Sequence, residues 1–173
     1  DRPIRVVATH KKIYQYLEQF EAQYDYAIID TPPHNQEIVS TSILCSDLVI
    51  IPVQDSPLDI KSTKTTIELI NKAKSINTEL KDYCLLYKIQ PLTLAARELS
   101  NKLNQLYGIK VLKSIVSNRA VYKQSLSYGK GVAEYSGSDQ AVNEVLALVN
   151  EIKELLGDKT SHDLGDFLVQ SKG

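Results

Sequence analysis

An uncharged apolar run that stops on one carboxylate and two prolines, Ile28-Ile29-Asp30-Thr31-Pro32-Pro33, limits what this chain can fold into more than any other stretch. Residues 26–29 are β-branched, aromatic or small, which reads as a strand buried on both faces of a parallel sheet. Neither Pro32 nor Pro33 can donate to a ladder, so the strand ends there and the loop beyond it is stiff. Asp30 then falls at the carboxyl end of a strand, where open α/β sheets bind their ligands. Taken alone, the six residues suit a magnesium-holding carboxylate and a plain strand that turns after an Asp equally well.

A second run, Leu48–Val53, is again uncharged and again carries a proline, and Asp55-Ser56-Pro57-Leu58-Asp59 follows it. Ser56 and Asp59 have capping-box spacing and Pro57 takes the favoured first helical position. A helix is therefore expected over 57–76, with Ile60, Ile67, Ile70 and Ala73 inward. A shorter helix over 36–45 joins the two runs into a βαβ unit with a right-handed crossover. Further strands are expected at 4–8, 83–89 and 109–115, and further helices at 11–22, 92–107, 121–128 and 138–156. The last helix places Val142, Val145, Leu146, Val149, Ile152 and Leu156 on one face and ends at Gly157. Strands alternating with helices predict an α/β fold, a mainly parallel sheet flanked by helices. Residues 1–157 read as a single domain and 158–173 as a mobile polar tail.

The chain has 173 residues, 43% hydrophobic and 24% charged, which suits one domain with a real core, or two very small ones, and a globular rather than a disordered protein. No apolar run approaches the ~20 residues of a membrane span and nothing at the start reads as a signal peptide, so a cytoplasmic protein is expected. Cys45 and Cys84 lack metal-ligand spacing and read as small buried hydrophobes. His10, His34 and His162 are scattered, and His34 reads as an exposed loop residue. A net charge of −1 argues against a chain that binds nucleic acid over its whole surface. Yet no acid lies between Glu98 and Glu134, where Lys102, Lys110, Lys113, Arg119, Lys123 and Lys130 all fall. Such a segment is either a place where phosphates are met or an ordinary solvated face. Arg119 and Lys123, four apart, share a face if that stretch is helical.

In order and with consistent spacing, Tyr24-Asp25-Tyr26-Ala27-Ile28-Ile29-Asp30-Thr31-Pro32-Pro33, Ser46-Asp47-Leu48-Val49-Ile50-Ile51-Pro52-Val53 and Ser56-Pro57-Leu58-Asp59 resemble the ParA/MinD family of deviant Walker ATPases, and most of all small plasmid-partition ParA proteins. Ile115 to Arg119, with Tyr122, Gly129, Val132 and Glu134, is similar to a later segment of that family, so the likeness runs over 24–156. The resemblance implies a P-loop NTPase-like sheet and a role in plasmid or chromosome partition. It also implies ATP and Mg²⁺ as cofactors, dimers that bind nonspecific DNA, a centromere-binding partner protein, and a nucleoid-associated location in the cytoplasm. By resemblance, Asp30 is the Walker B carboxylate that meets Mg²⁺ through water, and Thr31, Pro32 and Pro33 belong to the loop that senses the γ-phosphate. Arg119, Lys123 and Lys130 are assigned to DNA because the family binds DNA with its C-terminal half.

The departure from the family lies in the glycines. None precedes Gly108, so no Gly-rich cradle of backbone N–H groups stands before Asp30. The pair Gly129-Lys130 has Gln124 where a phosphate loop needs Gly, and Gly131 where it needs Ser or Thr. A chain opening on Asp1 reads as N-terminally truncated, without the first βα unit and the phosphate loop. Alone, it is expected neither to bind ATP tightly nor to hydrolyse it. The alternatives are a P-loop-free ParA-like interaction module and a MinD-type positioning regulator without catalysis. The second needs a basic amphipathic membrane helix, which Asp158, Asp163 and Asp166 disfavour, so no membrane partner is expected. Lys88 and Gln90 stand where the family often has Asn or Arg, so no base contact is assigned there; the loop 117–119 can supply one, its residue left open.

Overall fold

The computed structural model describes residues 6–7, 13–32, 35–135 and 139–157. Three strands, β1 (Leu48–Val53), β2 (Lys81–Tyr87) and β3 (Lys110–Val116), form one parallel sheet in the order β1-β2-β3. Ile50 pairs with Tyr83 and Tyr83 with Lys110, so β2 is the middle strand. Its side chains alternate between two cores: Cys84 and Leu86 point to one face and Leu85 to the other.

The first face is covered by the crossover helices α3 (Pro57–Lys74) and α4 (Leu94–Tyr107). Ile60, Ile67, Ile70 and Ala73 of α3 are all buried there, as their helical spacing predicts, against Ala96, Leu99 and Leu103 of α4. Pro57 does open α3, but the expected capping box does not form, because the Ser56 side chain makes no cap hydrogen bond. Asp59 instead lends its backbone carbonyl to Ser62 and Thr63. Helix α4 is capped at Thr93, whose hydroxyl accepts from the Ala96 amide at 3.2 Å, and ends at Gly108 in the left-handed region. The connecting helix α2 (Gln36–Leu44) packs beside α3, with Asn35 accepting from the Ile38 amide.

The second face is covered by α7 (Asp139–Leu156), with α5 (Ala120–Ser127) at its edge and a single turn, α6 (Val132–Tyr135), between them. Leu148 and Leu155 of α7 pack on Leu85, Leu112 and Val116. The stripe expected to point inward, Val142, Val145, Leu146, Val149, Ile152 and Leu156, is only half-buried. The cause is polar. β3 carries a bulge, since Cys84 pairs with Val111 but Leu86 with Ile115, and the freed amides of Lys113 and Ser114 donate to Glu151 at 2.8 Å each. Satisfying those donors turns the Glu144 and Glu151 side of α7 toward the sheet.

The strand expected at 26–29 is the largest correction. Residues 24–32 follow α1 (Tyr14–Gln23) without regular structure and enter no ladder with β1, which is an edge of the sheet among the described residues. Composition suits a residue to a strand, but a ladder makes one, and this run enters none among the described residues. Ile28 is 97% exposed. β1 is likewise not buried on both faces: Pro52 is exposed, as suits a residue without an N–H on an edge strand. Of the strand expected at 4–8, Val6 and Val7 are described, in no strand, and the rest lies outside the described residues, as do Pro33, the three histidines and 158–173. Cys84 is buried and Cys45 half-buried, and burial, with Asp82 nearby, pushes the Cys84 thiol up to about 12.

Ile70 is fully buried where α3 meets β2 and α4. Ile70→Ala is expected to cost about 2–5 kcal/mol, read from the midpoint of urea unfolding with the slope unchanged.

Candidate functional site at the carboxyl ends of the strands

Because all three strands run the same way, Val53, Tyr87 and Val116 end on one side of the sheet, and the loops 54–56, 88–93 and 117–119 gather there. The loop after β2 is strained. Lys88 (φ 57°) and Leu92 (φ 61°) both lie in the left-handed region without being glycine. Lys88 is held there by its amide, which donates to the Val116 carbonyl, and by its ammonium, 5.0 Å from the Tyr87 ring centroid.

The end of β3 is the most ordered polar region of the site. Glu144 of α7 accepts from the Ser117 amide (3.1 Å), the Ser117 hydroxyl (2.6 Å), the Tyr122 hydroxyl (2.9 Å), and Nε and Nη2 of Arg119 (3.0 and 2.7 Å). Arg119 Nη1 donates to Gln140 at 2.9 Å, and the Ala141 carbonyl lies 3.2 Å from the Tyr122 hydroxyl, sharing the one proton given to Glu144. Burial pushes the Glu144 carboxyl up, but hydrogen bonds from Arg119, Ser117 and Tyr122 outweigh it and hold the group at about 2. Burial first, then Glu144, drives the Tyr122 hydroxyl well above its usual range. Glu151 is also lowered: burial opposes ionisation there, and bonds from Ser114 and Lys113 overcome it.

Of the residues expected in the nucleotide loop, Pro33 lies outside the described residues, and Asp30, Thr31 and Pro32 are not among the partners of Glu144. Asp30 and Pro32 are exposed, Thr31 is half-buried, and Asp30 makes no hydrogen bond or ion pair among the described residues. One carboxylate beside a hydroxyl is the kind of donor a magnesium ion takes when phosphate oxygens and water fill the other positions. No group of three or more His, Cys, Asp or Glu among the described residues is placed to hold a metal ion by itself. Nor do the described glycines form a phosphate cradle. Gly108 ends α4, and the Gly131 amide already donates to Glu134 at 2.7 Å. Among the described residues, then, the exposed Asp30 carboxylate stands without a glycine-rich phosphate cradle. Two cavities of about 390 and 260 Å³ lie instead at the amino ends of β2 and β3, sharing Tyr83 and Lys110.

The three residues expected to meet DNA are divided. Lys123 and Lys130 are exposed, with side chains that make no hydrogen bond or ion pair among the described residues. Arg119 is instead committed to Glu144 and Gln140, with its side chain 27% exposed. The basic segment is also spread over separate elements, since Lys110 opens β3 and Lys123 lies in α5. The sequence reading does not single out Glu144 or Glu151. Their signal was a shared spacing: Glu144 and Glu151 stand seven apart, in step with Leu148 and Leu155.

Comparisons with known proteins agree with this architecture. Residues 4–82 match a family described as an AAA domain. The chain is 28% identical over 145 residues to the maintenance of carboxysome distribution protein A of Halothiobacillus neapolitanus, covering 83% of this chain and 67% of that protein. It is 24% identical to the sporulation initiation inhibitor protein Soj of Bacillus subtilis, over 86% of this chain and 60% of that one. It is 25% identical to the chromosome partitioning protein ParA of Myxococcus xanthus, over 79% and 49%. The solved structure of an apo McdA superposes with a TM-score of 0.64 at 20% identity, over 83% of this chain and 57% of that one. The chain is thus similar to ParA-like proteins, and its parallel sheet flanked by helices has the P-loop NTPase-type fold of the McdA structure. It spans 49% to 67% of the length of these relatives. No helix among the described residues is long and apolar enough to cross a membrane.

The Glu144 network makes stability depend on pH with a definite sign. Its folded-state value of about 2 lies below the ordinary 4.5, so the carboxylate stabilises the fold above about pH 5, and that contribution falls away between about pH 4.5 and 2. Glu144→Gln is expected to cost about 2 kcal/mol at pH 7, with the gap to the parent closing as the pH falls through that window in urea titrations.

Proposed function

We propose that this chain is part of a ParA-type partition or positioning ATPase, a protein that distributes a plasmid, a chromosome or another large cargo. The observation that carries the reading is the likeness, over four fifths or more of the chain, to proteins named for carboxysome distribution and for sporulation control by Soj. The parallel sheet supports it by gathering three loops at one end. In the complete protein, ATP and Mg²⁺ are the cofactors, Asp30 meets Mg²⁺ through water, and Thr31, Pro32 and Pro33 sense the γ-phosphate. The active form is a dimer that binds nonspecific DNA and answers to a centromere-binding partner. Lys123 and Lys130 meet phosphates directly, and Arg119 serves the same surface from behind.

The lack of any glycine before Gly108 favours a second reading, a P-loop-free ParA-like interaction module. Both readings have this chain inactive alone. Phosphate release from Mg-ATP by the isolated chain is expected to match a protein-free blank; turnover that disappears with Asp30→Ala would overturn this.

DNA contact is tested separately. Lys123→Glu with Lys130→Glu is expected to weaken binding to duplex DNA of any sequence and to reduce the slope of log affinity against log salt by about 2. Unchanged affinity at low salt contradicts the assignment of those lysines.

A further inference from the structure

Helix α5 is short, eight residues from Ala120 to Ser127, and a helix of that length does not hold itself together in water. The Glu144 carboxylate grips it at two points: Arg119, the residue that caps its start, and Tyr122 in its first turn. The same carboxylate fixes the end of β3 through both the amide and the hydroxyl of Ser117, which is 1% exposed. Lys123 follows Tyr122 directly, so it leaves the helix about 100° round from the side that faces α7. Lys130 is tied to the same helix through its amide, which donates to the Ser125 carbonyl at 3.0 Å.

We propose that Glu144 is a positioning residue for phosphate contact: through Ser117, Arg119 and Tyr122 it locks α5 onto α7, so that Lys123 and Lys130 stand together facing a polyanion. This rests on the DNA reading above. It gives Arg119 a task other than meeting phosphate, and it assigns an acidic residue a favourable part in binding an acidic ligand. Electrostatics alone predicts the reverse, because removing a negative charge and releasing a guanidinium strengthens attraction to DNA. The sign of the effect therefore separates positioning from charge.

The experiment compares the full chain with Glu144→Gln, Tyr122→Phe and Lys123→Glu variants, measuring affinity for a duplex DNA of arbitrary sequence across salt concentrations. Amide hydrogen exchange is followed alongside. Glu144→Gln and Tyr122→Phe are each expected to weaken binding, Glu144→Gln by about fivefold or more, in line with coupling inside a hydrogen-bond network. The Ser117 amide is expected to exchange faster while those of β1 and β2 stay protected. Tyr122→Phe keeps every charge and decides the question alone if Glu144→Gln loses its protected β1 and β2. If either folded variant binds as tightly as the parent or tighter while Lys123→Glu binds weakly, positioning is overturned and the DNA reading stands. If the parent does not bind, or Lys123→Glu binds like the parent, the DNA reading itself falls and takes this proposal with it.

Discussion

Glu144 sits where α7, the end of β3 and the start of α5 meet, and its carboxylate accepts hydrogen bonds from three residues of those neighbours. A half-buried carboxylate is costly unless it is paired and hydrogen-bonded, and here five donor atoms face it. The result is a fixed angle for α7 across the second face of the sheet. Glu151 makes the same kind of contact one heptad further on, against the amides that the β3 bulge releases. At the far end of the helix the Lys81 ammonium donates to the Leu155 carbonyl at 2.6 Å, a cation at a helix C-terminus. Leu148 and Leu155 supply the apolar area between these polar anchors. Packing brings α7 to the sheet, and the carboxylates choose which side of it lies down.

The first face is simpler. α3 and α4 pack their buried stripes on Cys84 and Leu86, and cross-strand order follows from two crossovers of the same hand. That order places the three strand ends on one side, which makes the loop after β2, with Lys88 and Leu92 in left-handed conformations, and the loop after β3 neighbours. The bond from the Lys88 amide to the Val116 carbonyl joins the two directly. Two cavities lie at the opposite end, by the amino ends of β2 and β3.

Elements set by local periodicity were readable from residues alone. α3 shows it, with Pro57 at its start and Ile60, Ile67, Ile70 and Ala73 buried, and so does α4, with Gly108 at its end. What depends on distant partners was not readable. Residues 26–29 have strand chemistry but no ladder, and α7 has two apolar stripes whose rank was decided by carboxylate bonds to β3 rather than by hydrophobicity. The same limit applies to function. Arg119 looked like a free cation because its partner, Glu144, lies 25 residues further along the chain. Lys123 and Lys130, which have no such partner among the described residues, kept the exposed positions expected of them.

The Glu144 carboxylate can be observed directly. A pH titration of its side-chain carboxyl carbon by ¹³C NMR should show an apparent pKa of about 2, because the charged form is the one that Arg119, Ser117 and Tyr122 hold. A midpoint near the ordinary 4.5 would mean that those donors are not bound to it in solution, and the account of how α7, α5 and the end of β3 are fixed would be wrong.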